Sequence, residues 1–100
     1  MNFHDKLVLV TGGTGGLGRE VTMAFLEAGA TVLVTYVVPE EFAAVESAAQ
    51  RIGATPPTGT NVDVTDTQAV EKFLAEIVAK HGRLDILVNT VGGYEIGRRR

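Results

Sequence analysis

The sequence predicts an α/β protein, a doubly wound parallel sheet with helices on its faces. Three observations predict it. Short aliphatic and β-branched runs alternate with helical periodicities from one end of the chain to the other. Those runs are continuously apolar, as strands buried on both faces are. A glycine-rich stretch, Gly12 to Gly18, joins the first run to the first helical pattern. The 100 residues suit one domain, and 45% hydrophobic with 21% charged residues is a globular, not a disordered, composition. No apolar run reaches the ~18 residues of a membrane span. The N-terminus has no basic segment ahead of an apolar one, so no signal peptide is expected. The chain has no cysteine, which excludes disulfides, thiolate metal sites and a cysteine nucleophile, and no metal site is predicted. A net charge of −3 argues against nucleic acid as the main partner. The expected setting is the cytoplasm, with neither a membrane nor a nucleic acid as partner.

Each element has its own signal. Lys6 to Thr11 is the first strand. Leu17, Val21, Ala24, Phe25 and Ala28 share a face of the first helix, which Gly29 ends in a left-handed cap. Thr31 to Tyr36 is the second strand. Pro39 opens the second helix, with Glu40 and Glu41 at its positive end. That helix points Phe42, Val45, Ala49 and Ile52 inward and stops at Gly53. After the Pro56-Pro57 turn comes a weak third strand, Gly59 to Asp63. Asp66 caps the third helix, which buries Ala69, Val70, Phe73 and Ile77. His81 complements the negative end of that helix, and Gly82 closes it. Leu84 to Val88 is the fourth strand. Right-handed crossovers that run outward twice and then return past the first strand predict four strands in the order 3-2-1-4, with three helices.

The chemistry begins in Thr11-Gly12-Gly13-Thr14-Gly15-Gly16-Leu17-Gly18. Glycines between a strand and a helix let the backbone turn sharply and let a pyrophosphate approach where a Cβ would intervene, against the free N–H groups of the helix end. Two frames overlap: Gly13, Gly15 and Gly18 as G-x-G-x-x-G, and Gly12, Gly16 and Gly18 as G-x-x-x-G-x-G. Gly13 and Gly18 also have the spacing of an NTPase phosphate loop. That loop needs Lys and then Ser or Thr, and the chain has Arg19-Glu20, so this reading is rejected.

Three segments then stand in order over residues 6–93: Gly12-x-x-x-Gly16-x-Gly18, Asp63-Val64, and Leu84-Asp85-Ile86-Leu87-Val88-Asn89-Thr90-Val91-Gly92. Together they resemble the short-chain dehydrogenase/reductase family, and the resemblance implies a Rossmann-like fold and a bound nicotinamide dinucleotide, NAD or NADP. By that resemblance Gly12, Thr14, Gly15, Gly16, Leu17 and Gly18 cradle the pyrophosphate and the adjoining ribose. Asp63 accepts from the adenine amino group beside the Val64 backbone. Asn89, Val91 and Gly92 pass under the cofactor, while Asn89 braces the sheet. The last segment departs from the usual Asn-Asn-Ala-Gly of the family at Thr90 and Val91. Tyr36 stands where the family's NAD-binding Asp ends the second strand. No basic residue stands at Thr14 or Gly15, and Glu40 and Glu41 lie just beyond. A phosphate near those carboxylates is unfavourable, so NAD is expected over NADP.

The resemblance also shows what is not here. The family uses Ser, Tyr and Lys beyond its fifth strand, and this chain reaches only the fourth. Tyr94 and Arg98 have Tyr-x-x-x-Lys spacing with Arg in place of Lys, but Gly92, Gly93 and Gly97 disfavour a helix there. No catalytic residue is assigned. The expected function is the dinucleotide-binding half-domain, residues 1–93, of an oxidoreductase that is truncated before its catalytic set and inactive alone, followed by a Gly/Arg tail over 94–100. Two alternatives stand beside it: a structural or interaction domain that kept the fold, and an active oxidoreductase completed by another chain. The fourth strand is expected to be a long, flat, apolar edge with Leu7, Leu9 and Leu87 left bare. This predicts a homo-oligomer joined at that strand or through the under-covered sheet face.

Overall fold

A computed structural model describes residues 2–90, which form seven elements in strict alternation. They are β1 (Leu7–Thr11), α1 (Gly16–Glu27), β2 (Thr31–Tyr36), α2 (Pro39–Arg51), β3 (Thr58–Asn61), α3 (Thr67–His81) and β4 (Ile86–Asn89). The strands make one parallel sheet in the predicted order, β3-β2-β1-β4. Register sets Val10 beside both Val34 and Val88, and Thr11 beside Asn89. The carboxyl ends of β1, β2 and β4 therefore meet at one edge, where open α/β sheets place their ligands. Among the described residues no helix is long and apolar enough to cross a membrane.

Alternation along β1 divides the core in two. Val8 and Val10 point, with Val32 and Val34, toward Leu26 of α1 and Ala49 of α2. Leu7 and Leu9 point with Leu33 toward Ile77 of α3, where Phe73, Leu74 and Leu84 complete the cluster. Leu7 and Leu9 are thus buried, contrary to the expectation that they lie bare, because the single helix on that face sits directly over β1. Leu87 does stay open, 52% exposed.

Several local expectations need correction. In α1 the buried positions are Gly18, Thr22 and Leu26, whereas Leu17 is 65% exposed and Ala24 is exposed. Val21 and Phe25 of the predicted face do pack against the core, and the contact face is rotated to include Gly18 and Thr22, where the helix approaches the end of β1 closely. In α2, Ala48 is buried with Val45 and Ala49, while Ile52 follows the last helical residue and is half exposed. In α3 only Ile77 is fully buried; Ala69, Val70 and Phe73 are half-buried because no second helix flanks them. β3 begins and ends earlier than predicted, leaving Asp63 in the turn that follows it. β4 starts at Ile86 because Leu84 packs beneath α3, and the Asp85 carboxylate takes the Leu7 N–H at 2.7 Å. β4 is a four-residue strand, alternately half-buried and exposed, not a long flat one. The Asp66 cap holds: its carboxylate accepts the Ala69 N–H at 3.2 Å. Val91, Gly92, Tyr94 and the 94–100 tail lie outside the described residues.

Candidate functional site

Threonines lock the loop between β1 and α1 in place. The Thr35 hydroxyl on β2 accepts the Gly12 N–H at 2.8 Å, and the Thr35 carbonyl accepts the Gly13 N–H at 3.2 Å. From α1, the buried Thr22 hydroxyl donates to the Gly13 carbonyl at 2.9 Å. From the end of β4, the Thr90 hydroxyl donates to the carbonyls of Thr11 and Gly12 at 2.7 and 3.1 Å. Thr11 itself donates to the Asn89 side chain at 2.9 Å, so Asn89 does tie β4 to β1. The bonds from Thr22, Thr35 and Thr90 occupy backbone groups where the strand gives way to the turn, which is what part-buried polar groups require.

The two glycine frames now separate. Gly12 and Gly16 have φ of 71° and 46°, in the left-handed region where side chains are strained. A Cβ on Gly18 would collide with the Gly12 carbonyl oxygen and stand 2.7 Å from the Thr90 hydroxyl. These three are the G-x-x-x-G-x-G glycines. Gly13 is a packing residue, where a Cβ would stand 2.6 Å from Val34 and 2.7 Å from Thr22. Gly15 is the N-cap of α1, and its carbonyl takes the Gly18 N–H at 2.9 Å. The Gly16 and Leu17 N–H groups precede the first intrahelical bonds, and the first turn of α1 holds no acidic residue. The positive end of this helix is open to an anion.

Beside the loop is a cleft of about 360 Å³. Its walls are Gly12, Thr14 and Gly15 from the loop, Thr35, Tyr36 and Val37 from β2 and its end, Glu41 from α2, Val62 to Thr65 after β3, and Thr90. Tyr36 lies parallel to Phe42, ring centres 5.0 Å apart. The Asp63 carboxylate accepts the Thr65 hydroxyl at 2.6 Å and the Thr65 N–H at 2.9 Å. Those bonds, the hydroxyl first, hold its carboxyl below the ordinary aspartate range, which favours an ionised acceptor at the cleft wall. The residues fit a dinucleotide. The loop approaches closest where a Cβ has no room, and the cleft beside it carries a carboxylate and apolar walls for a base.

Of the predicted site residues, Gly12, Thr14, Gly15, Tyr36, Asp63 and Val64 meet around this cleft. Gly16 and Leu17 are exposed on the first turn of α1, Gly18 is buried beneath it, and Asn89 stands at the β4 end beside Thr11. Val91 and Gly92 lie outside the described residues. Sequence reasoning missed Thr22, Thr35 and Thr90. Their one signal was a hydroxyl residue at a strand end or helix face that already faced glycines.

The sequence matches the short chain dehydrogenase family over residues 6–99. It is 38% identical over 98 residues to "Probable oxidoreductase EphD" of Mycobacterium bovis, an alignment covering 96% of this chain and 16% of that protein. A short-chain type dehydrogenase/reductase from Mycobacterium ulcerans superposes with a TM-score of 0.79 at 28% identity, over 95% of this chain and 35% of that one. A metagenomic short-chain oxidoreductase in complex with NADP gives 0.75 at 27% identity, over 85% and 38%. The chain thus spans well under half the length of each of these proteins.

Proposed function

The chain belongs to the short chain dehydrogenase family, and from that membership we propose that it is the nicotinamide-dinucleotide-binding portion of an oxidoreductase. One observation carries the reading: Gly12, Gly16 and Gly18 take the conformations and close approach that bring the positive end of α1 against the cleft. When bound, the cofactor supplies the carbon that gives or takes hydride. The chain's own residues bind and orient. The loop from Gly12 to Gly18, Thr14 and Leu17 included, receives the pyrophosphate and adjoining ribose. Tyr36 borders that ribose. Asp63 and the Val64 backbone meet the adenine, and Asn89, Val91 and Gly92 run under the cofactor. Thr22, Thr35 and Thr90 hold the loop in place, while Thr11 ties β1 to β4 beside it, which lowers the ordering cost of binding.

Hydride transfer itself is assigned to no residue of 1–100. Ser47, the one serine in the sequence, lies on α2 away from the cleft, and no Tyr-x-x-x-Lys occurs. In this reading the residues 1–93 bind without turning over, and they work in the cytoplasm. Calorimetric titration with NAD, NADH and NADPH tests it. Modest binding without hydride transfer is expected, and no binding at millimolar cofactor overturns it. Gly16→Val, placing a β-branched side chain at a positive φ on the loop's outer surface, is expected to abolish binding while the fold survives. The same reading takes a second copy of the chain at the open edge of β4 or over the under-covered sheet face beside it, where Leu87, in register with Leu9, is exposed.

A further inference from the structure

We infer that Glu41 sets the choice of dinucleotide, accepting the ribose 2′-hydroxyl of NAD and repelling the 2′-phosphate of NADP. The inference rests on reading the cleft as a dinucleotide site. In doubly wound folds an acidic residue roughly 20 positions past the glycine motif, at the end of the second strand, takes the 2′-hydroxyl, and an Arg there accommodates the phosphate. Here that strand end is Tyr36, which has no carboxylate and whose ring is stacked on Phe42. Phe42 is itself held against Gly59, where a Cβ would have no room. The tyrosine is thereby fixed as part of an apolar wall.

Glu41 reaches the same cleft from the other side. It is the third residue of α2, and its N–H bonds the Val38 carbonyl at 3.0 Å, which plants it beside the strand end. Its Oε1 accepts the Thr14 hydroxyl at 3.4 Å, and a Cβ on Gly15 would lie 3.2 Å from that same oxygen. The carboxylate therefore lies across the gap between α2 and the glycine loop, in the same cleft that carries Asp63. A hydroxyl there donates to it. A phosphate, with a charge of about −1.5 to −2, confronts it. Nothing in the lining offsets the repulsion: the cleft's two ionisable carboxylates are Glu41 and Asp63, and no Lys or Arg is among its described residues. The adjacent Glu40 is exposed and does not line the cleft.

Binding isotherms of NAD and NADP to the wild-type chain, E41Q, E41K and E40Q test the inference, with circular dichroism confirming that each is folded. The expected results are a preference for NAD of about tenfold or more in the wild type, a ratio compressed severalfold in E41Q through tighter NADP binding, and a preference for NADP in E41K. E40Q should keep the wild-type ratio. A wild type that prefers NADP, a ratio unmoved by either Glu41 substitution, or an equal shift in E40Q overturns the role of Glu41 and leaves dinucleotide binding standing. Failure of the wild type to bind either cofactor at millimolar concentration overturns both readings together.

Discussion

The two ends of the β1 strand meet the rest of the molecule in different ways. At its carboxyl end, three threonines, Thr35 of β2, Thr22 of α1 and Thr90 just after β4, bond to the backbone where β1 runs into the glycine loop, while Thr11 bonds the Asn89 side chain. At its amino end, one carboxylate does the joining. Asp85 takes the Leu7 N–H at 2.7 Å and the Arg83 guanidinium at 2.8 Å, and Arg83 in turn reaches the Asp5 carbonyl at 2.7 Å. The first arrangement is part-buried and built of neutral groups; the second is charged, and its Arg83 bonds are exposed even though its bond to the Leu7 N–H is part-buried. A site that must hold an anion precisely has been given many short neutral bonds, whose strength does not depend on salt or pH. The far end of the sheet, where nothing needs positioning, relies on a clasp that does.

The largest effect is expected where the loop has no room. Gly18→Ala drives a methyl group into the Gly12 carbonyl oxygen and the Thr90 hydroxyl, so the helix must retreat from the strand. A loss of about 1–3 kcal/mol is expected, seen as a drop in melting temperature of roughly 4–8 °C for each kcal/mol, together with loss of dinucleotide binding. An unchanged melting temperature would show that α1 does not need its close approach.

This contrast also separates what was legible in the sequence from what was not. The order of elements, the strand order and the capping by Asp66 and Gly82 follow from patterns within ten or fifteen residues, and the structure agrees with them. The glycine frame was legible because Gly12 and Gly16 answer a local backbone need. The threonines were not. Thr35 and Thr22 read as ordinary strand and helix fillers. The Thr35 hydroxyl acquires its partner only when β2 docks beside a loop 23 residues away, and the Thr22 hydroxyl, though nine residues from Gly13, only when α1 folds back on the loop that leads into it. Leu17 misled for a related reason: apolar periodicity marks a face that avoids water but does not say whether the sheet covers it. Glu41 was legible only together with Glu40, as helix-end charge unfavourable to a phosphate, since its place against Thr14 depends on how α2 packs.

A middle-sized effect is expected at the open edge. Ile86 and Val88 turn toward the core under α1, whereas Leu87 turns outward. A charge meant to break a seam therefore belongs at Leu87, because at Ile86 it would damage the fold. Leu87→Lys should alter the stability of the subunit by no more than about 0.5 kcal/mol, yet convert a dimer to a monomer in light scattering. A wild-type chain that is already a stable 10.6 kDa species in dilute solution refutes the pairing.

The smallest effect is expected at the amino-end clasp, and it appears only in acid. The Leu7 N–H, and after it the Arg83 side chain, hold the Asp85 carboxyl below its ordinary value in the folded chain. A group whose folded pKa is depressed contributes stability above its unfolded pKa, near 3.8, and loses it as pH falls through the folded value. The clasp should therefore contribute fully at neutral pH, begin to lose that contribution as pH falls past the unfolded value, and lose it altogether only below the folded one. Asp85→Asn keeps an oxygen that can accept the Leu7 N–H but removes the charge. Melting temperatures of the two chains, measured from about pH 7 down to about pH 3, should differ modestly at the upper end, and the difference should narrow toward the lower. High salt should shrink the neutral-pH difference as well, because the pair is exposed and screened. Asp63 titrates in the same direction but is bonded within its own turn by Thr65, so it stays common to both chains and cancels. A difference that persists unchanged into acid would mean that Asp85 acts through its shape rather than its charge, and the two ends of β1 would then be joined by the same kind of bond.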